Sequence, residues 1–141
     1  MIKDFKIIPL ETNDNCLIKQ VKSIKSYNDD WYIQDFADVP VKVFSKDGKS
    51  VSEIGHKGGG PGEFLHFADF IVDKGAVHIF GWSGNRKWIR YSNSNQFLFE
   101  TAMSFPFDHI CKIDNNNYLA YVGHGTVFDE SSYYLVSVHK I

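Results

Sequence analysis

Short apolar runs alternate with clusters of turn residues along most of the chain, at the spacing of strands in an antiparallel meander. In a first unit the runs are Lys19 to Lys25, Trp31 to Asp35, Val41 to Ser45 and Val51 to Ile54. Asn28-Asp29-Asp30 separates the first pair, and Lys46-Asp47-Gly48-Lys49 the last, where Gly48 supplies the positive φ that a tight hairpin needs. A second unit reads Ala68 to Val72, Val77 to Phe80, Lys87 to Tyr91 and Phe97 to Thr101, turning at Asp73-Lys74-Gly75 and Asn93-Ser94-Asn95. A third reads His109 to Ile113, Tyr118 to Val122 and Tyr133 to Val138, with its first turn at Asp114-Asn115-Asn116-Asn117. Phe5 to Leu10 is a further apolar run, and its Pro9, lacking a donor, suits an edge or a strand end.

The units repeat. A shift of 47 positions lays Ile33 on Phe80, Phe44 on Tyr91, Ser45 on Ser92, Asp47-Gly48 on Ser94-Asn95, Val51 on Leu98 and Glu53 on Glu100. No window carries apolar residues at helical spacing among good helix formers, so the expected fold is all-β. The division expected is an N-terminal strand over 1–17, four-stranded units over 18–55 and 56–104, and an incomplete unit over 105–141.

Composition agrees with strands: aromatics make up 16% of the chain, with twelve Phe, seven Tyr and three Trp, side chains that suit pleated surfaces. The 15 basic and 17 acidic residues are interspersed, so the basic face of a nucleic-acid binder is not expected. Cys16 and Cys111 stand far apart, outside any metal-ligand spacing, and read as unpaired thiols. Cys111, between Ile110 and Ile113, is the one expected to be buried. No stretch approaches the roughly 20 apolar residues of a membrane-spanning helix, and Met1 to Leu10 has neither the charged start nor the apolar run of a signal peptide. Taken literally that describes a cytosolic chain, an inference that fails for a chain whose leader was removed.

One stretch carries sharper motifs. The loop Gly55-His56-Lys57-Gly58-Gly59-Gly60-Pro61-Gly62-Glu63-Phe64, the strand end Ile71-Val72-Asp73, and Asn85 followed by Lys87, Trp88 and Tyr91 resemble the NHL-type repeat of six-bladed β-propellers. The group it is most similar to is that of bacterial exported six-bladed proteins of mostly unassigned role, whose opening strand Ile8-Pro9-Leu10-Glu11-Thr12 also resembles. The resemblance implies propeller blades, each a four-stranded meander, making about half of a six-bladed ring at about 40 to 50 residues per blade. It implies the periplasm or cell envelope for a chain that has lost its leader. Half a ring exposes sheet edges, which leaves two arrangements open: a fragment whose missing blades lie in a longer chain, or a homodimer in which each Phe5 to Leu10 strand completes the partner's last blade.

In a propeller the loops between blades, and between second and third strands, form one face where ligands usually bind. That face would collect Gly55 to His66, Trp82 to Lys87 and Gly123 to Ser132. Its candidate binding residues are His56, Lys57, Glu63, His66, Trp82, Asn85, Arg86 and His124, with Trp82 beside Arg86 suited to sugar or peptide contacts. The glycine loop lacks the GK[ST] ending and following helix of a phosphate cradle, so it reads as a turn between blades anchored by Phe64. None of the six histidines is paired at metal-ligand spacing, although in a ring His66 and His109 could converge with Asp69 or Asp108. No nucleophile elbow is present. The leading expectation is a non-catalytic module, with no cofactor or metal, that engages a protein, peptide or glycan. Its alternative is a lactonase- or lyase-type propeller enzyme with a central divalent metal.

Overall fold

The computed structural model describes residues 1, 3–82, 86–122 and 132–137, with the backbone alone for 122 and 132–137. Among them are thirteen strands and no helix. The first sheet is the antiparallel meander β1 (Val21–Tyr27), β2 (Asp30–Asp35), β3 (Val41–Phe44) and β4 (Ser50–Ile54). A short parallel pair, β5 (His56–Lys57) and β6 (Glu63–Phe64), leads to the second meander: β7 (Phe67–Asp73), β8 (Ala76–Gly81), β9 (Lys87–Ser92) and β10 (Phe97–Ala102). The third sheet is β11 (His109–Lys112), β12 (Asn117–Val122) and β13 (Ser132–Ser137).

Turn chemistry sets these hairpins. Asn28 and Asp29 take φ of +48° and +66°, and Lys74 and Gly75 take +48° and +72°, so both β1–β2 and β7–β8 close through two left-handed residues. The 47-residue repeat reappears in the longer turns. Gly48 N donates to Ser45 O and Ser45 N to Lys49 O; Asn95 N donates to Ser92 O and Ser92 N to Gln96 O. Gly48 and Asn95 fill the same left-handed position, at φ of +82° and +63°.

Each sheet lays one face on the next. Alternation sends Phe70, Val77, Ile79, Ile89 and Tyr91 of the second sheet toward Tyr32, Val41 and Val43 of the first, with Phe64 wedged between. The opposite face, through Ala68, Ile71 and Phe80, packs on Ile110, Tyr118 and Ala120 of the third. The three opening strands lie side by side, β7 in the middle. Asp69 on β7, 4% exposed, receives Lys25 Nζ from β1 at 2.8 Å and the backbone N–H of Ile110 on β11 at 3.0 Å.

Three expectations need correction. The first strand begins at Val21 and not Lys19, because the amides of Lys19 and Gln20 are taken by the Asp35 carboxylate, at 2.8 and 3.0 Å, before a ladder can form. Phe5 to Leu10 forms no strand; Phe5 and Ile7 are exposed, while Glu11 N donates to Gly48 O and Leu10 packs on the outer face of the first sheet. The thiols are reversed. Cys16 is buried with Ile33 and Phe44, its Sγ donating to Glu11 O at 3.3 Å, whereas Cys111 takes the solvent side of β11 opposite to Ile110.

Candidate functional site

A cavity of about 480 Å³ opens where β2 ends and β7 begins, between the first and second sheets. Lys22, Gln34 and Asp35 form its floor, and Phe36 and Trp82 stand at its mouth, 66% and 49% exposed.

The floor is fixed by buried polar bonds. Gln34 Nε2 donates to Phe67 O at 3.0 Å and its Oε1 accepts from Ser23 Oγ at 3.0 Å. Lys22 Nζ donates to Ala68 O at 2.6 Å; burial lowers its pKa, with Asp69 and Asp108 pulling the other way. Burial alone would raise the carboxyl of Asp35, but the amides of Lys19, Ala37 and Gln20 donate to it and, with Lys42 nearby, hold it below its ordinary value. Asp35 thus presents a fixed charge and pins the turn that carries Phe36, whose N–H donates to Gln20 O at 2.7 Å. Lys42, buried, ties the next stretch down by donating to Leu17 O at 2.6 Å and pairing with Asp38 at 3.0 Å. On the other wall, Trp82 N donates to His66 O at 3.1 Å.

The residues expected from sequence separate into groups. His66 and Trp82 line this cavity; Trp82 also borders a groove with Arg86, Lys87, Glu100 and Met103. His56, Lys57 and Glu63 stay on the glycine loop over the second sheet, away from the cavity. Asn85 and His124 lie outside the described residues. Lys22, Gln34, Asp35, Phe36 and Asp38 were not anticipated. A signal existed: the 47-residue shift lays Asp35 on Trp82, so the first unit's counterpart of the Trp82 loop begins with an exposed aromatic of its own.

The glycine loop does hold anions, and they belong to the protein. Gly60 N donates to Glu63 Oε2 at 2.9 Å and Gly62 N to Glu100 Oε2 at 2.7 Å, while Tyr91 Oη donates to Gly62 O. These donors are spent, which fits a turn anchoring one sheet to the next. Of the pairings considered for a metal, His109 Nδ1 lies 3.8 Å from Asp69 Oδ2, but Asp69 is already occupied by Lys25 and Ile110. Among the described residues no three His, Cys, Asp or Glu side chains gather as a metal site, and no helix is long and apolar enough to cross a membrane.

Comparison with known proteins adds a family. Residues 1–140 match the family model described as a domain of unknown function (DUF4934). Among solved structures, the chain is similar to a Bacteroides fragilis protein described as a "putative exported protein", at 30% identity and a TM-score of 0.74 over 83% of this chain. It spans 34% of that protein's length. No curated protein matches it.

Proposed function

The chain belongs to the DUF4934 family, and from that premise we propose that it is a non-catalytic binding module built as consecutive blades of a six-bladed, NHL-like β-propeller. Support for the blade reading comes from the opening strands, which lie side by side and are linked through Asp69, and from sheets that each face the next. Three sheets make half of such a ring; the other half belongs either to a longer chain or to a second copy. The description of the Bacteroides fragilis relative favours export as the setting.

The observation that carries the binding reading is the pair Phe36 and Trp82, two exposed rings at the mouth of one cavity whose floor is polar and rigidly hydrogen-bonded. Aromatic walls over a few placed polar groups suit a sugar ring or a peptide side chain, since stacking supplies affinity and the floor supplies orientation. A glycan array and a peptide library, each probed with the wild-type chain and with Trp82→Ala and Phe36→Ala, test it. Capture of a defined glycan or peptide should fall at least about tenfold in both variants, while the melting temperature moves by less than about 3 °C. Capture that survives both substitutions assigns binding to another surface.

A further inference from the structure

Trp82 belongs to two depressions at once: the cavity it shares with Phe36, and a groove of about 830 Å³ that it borders with Arg86, Lys87, Glu100 and Thr101. The cations of the groove differ in what they have left to give. Lys87 Nζ is spent, donating to Glu100 Oε2 and to Gly60 O, each at 3.2 Å. Arg86 is exposed, and among the described residues its guanidinium enters no hydrogen bond or ion pair. Only its backbone carbonyl is engaged, accepting from Met103 N at 2.9 Å. A cation with every donor open to solvent therefore stands beside an exposed indole.

The cavity has the opposite character. Asp35 and Asp38 both line it, Asp35 as a fixed charge, while Lys22 gives its amine to Ala68 O. A negative group is therefore favoured at the groove and disfavoured inside the cavity. The backbone around the two rings is also closed: Phe36 N donates to Gln20 O, Ala37 N to Asp35, Trp82 N to His66 O and Met103 N to Arg86 O. A peptide laid across Trp82 would find these main-chain donors spent, and main-chain pairing is what an extended peptide binds by. A sugar needs none of them. Its C–H faces stack on aromatic rings, and its hydroxyls bond to side chains such as Thr101, which is exposed on the groove.

We propose that cavity and groove together bind an acidic oligosaccharide, with a neutral sugar ring against Phe36 and Trp82 and the carboxylate of an adjoining uronic acid on Arg86. This rests on the reading of the cavity as a binding site and adds to it the class of ligand. The guanidinium fork matches the two oxygens of a carboxylate, and no carboxylate of the protein occupies it. Each depression, about 480 and 830 Å³, is of a size that holds a small molecule by itself, so a ligand filling both is a chain of sugars and not a single ring.

Calorimetric titration of the whole chain with tetrasaccharides of hyaluronan and of glucuronoxylan, each beside its carboxyl-reduced neutral form, and with the peptide Glu-Phe-Glu-Phe-Glu tests it. At least one acidic tetrasaccharide should bind about fivefold more tightly than its reduced form, and the difference should shrink in about 1 M salt. Arg86→Gln, at an exposed side chain without partners, should erase that difference and leave the affinity of the reduced form unchanged. Phe36→Ala should weaken the acidic and reduced forms alike, by about tenfold. Binding that needs Phe36 but ignores both the carboxylate and Arg86 overturns this inference and leaves the cavity reading standing. Binding indifferent to Phe36 overturns both. Failure of every tetrasaccharide to bind, or tighter binding of the peptide, overturns the assignment to an acidic oligosaccharide.

Discussion

Lys25 and Asp69 join two sheets that share no ladder: the amine on β1 lies 2.8 Å from the carboxylate on β7 and also donates to Phe70 O. Asp69 is the more deeply buried partner and additionally accepts from the amides of Phe70 and Ile110. Replacing it strands several donors, whereas replacing Lys25, which is partly exposed, removes one. Asp69→Ala is expected to cost about 3 kcal/mol and Lys25→Met about 1 kcal/mol. Urea unfolding of both variants measures the difference; equal costs would show that the carboxylate does not link the three sheets.

His78 predicts an acid-sensitive stability. Its folded pKa of about 4 lies below its ordinary 6.5, so the unfolded chain takes up the proton more readily. The stability tied to the neutral ring is full above 6.5 and is lost as pH falls from there through 4, by up to about 3 kcal/mol. Arg90 and Lys112 oppose protonation and Asp73 favours it, so the charges facing the ring do not reverse the sign. Unfolding free energies measured across that window should slope in the wild type and flatten in His78→Gln.

Gly48 predicts a local release. Its counterpart Asn95 shows that asparagine accepts the same turn conformation, yet a Cβ at position 48 would stand 2.1 Å from the Pro9 carbonyl oxygen. Gly48→Asn should therefore keep the hairpin and lose the N-terminal segment, whose hold also includes Glu11 Oε2 on Ser50 N at 3.0 Å. Amide hydrogen exchange should rise over residues 3–12 and stay near wild type in β3 and β4; protection lost throughout the first sheet would count against this.

The sheets were legible because alternation and turn residues are local signals: Asn28-Asp29, Lys74-Gly75 and Asn93-Ser94-Asn95 each close the hairpin they predict. Errors arose where a distant side chain outbid the local pattern. Asp35 reaches back to take the Lys19 and Gln20 amides, and the outer face of the first sheet covers Cys16, neither of which hydropathy around those residues reveals. The cavity followed the same rule. Trp82 and His66 could be nominated from their loops, but Lys22, Gln34 and Asp35 join them only through packing between sheets.

Asp35 offers the test that links the fold to the cavity. Its carboxylate accepts three backbone amides, from Lys19, Gln20 and Ala37, and an asparagine has one oxygen and an NH2 group to set against the same donors. Asp35→Asn should cost about 2 kcal/mol near neutral pH, because at least one amide loses its acceptor and the remaining bonds lose their charge. Since the folded pKa lies below the ordinary 3.8, the contribution of the ionised group is present above that pH and lost as pH falls through the folded value. The gap between wild type and variant should therefore narrow in acid, which denaturant melts at pH 7 and in strong acid would measure. The same carboxylate holds the turn behind Phe36, so the variant should also capture a Phe36- and Trp82-dependent ligand more weakly while both rings remain in place. A variant as stable as the wild type and equally able to capture that ligand would mean that Asp35 neither pins the turn nor prepares the cavity floor.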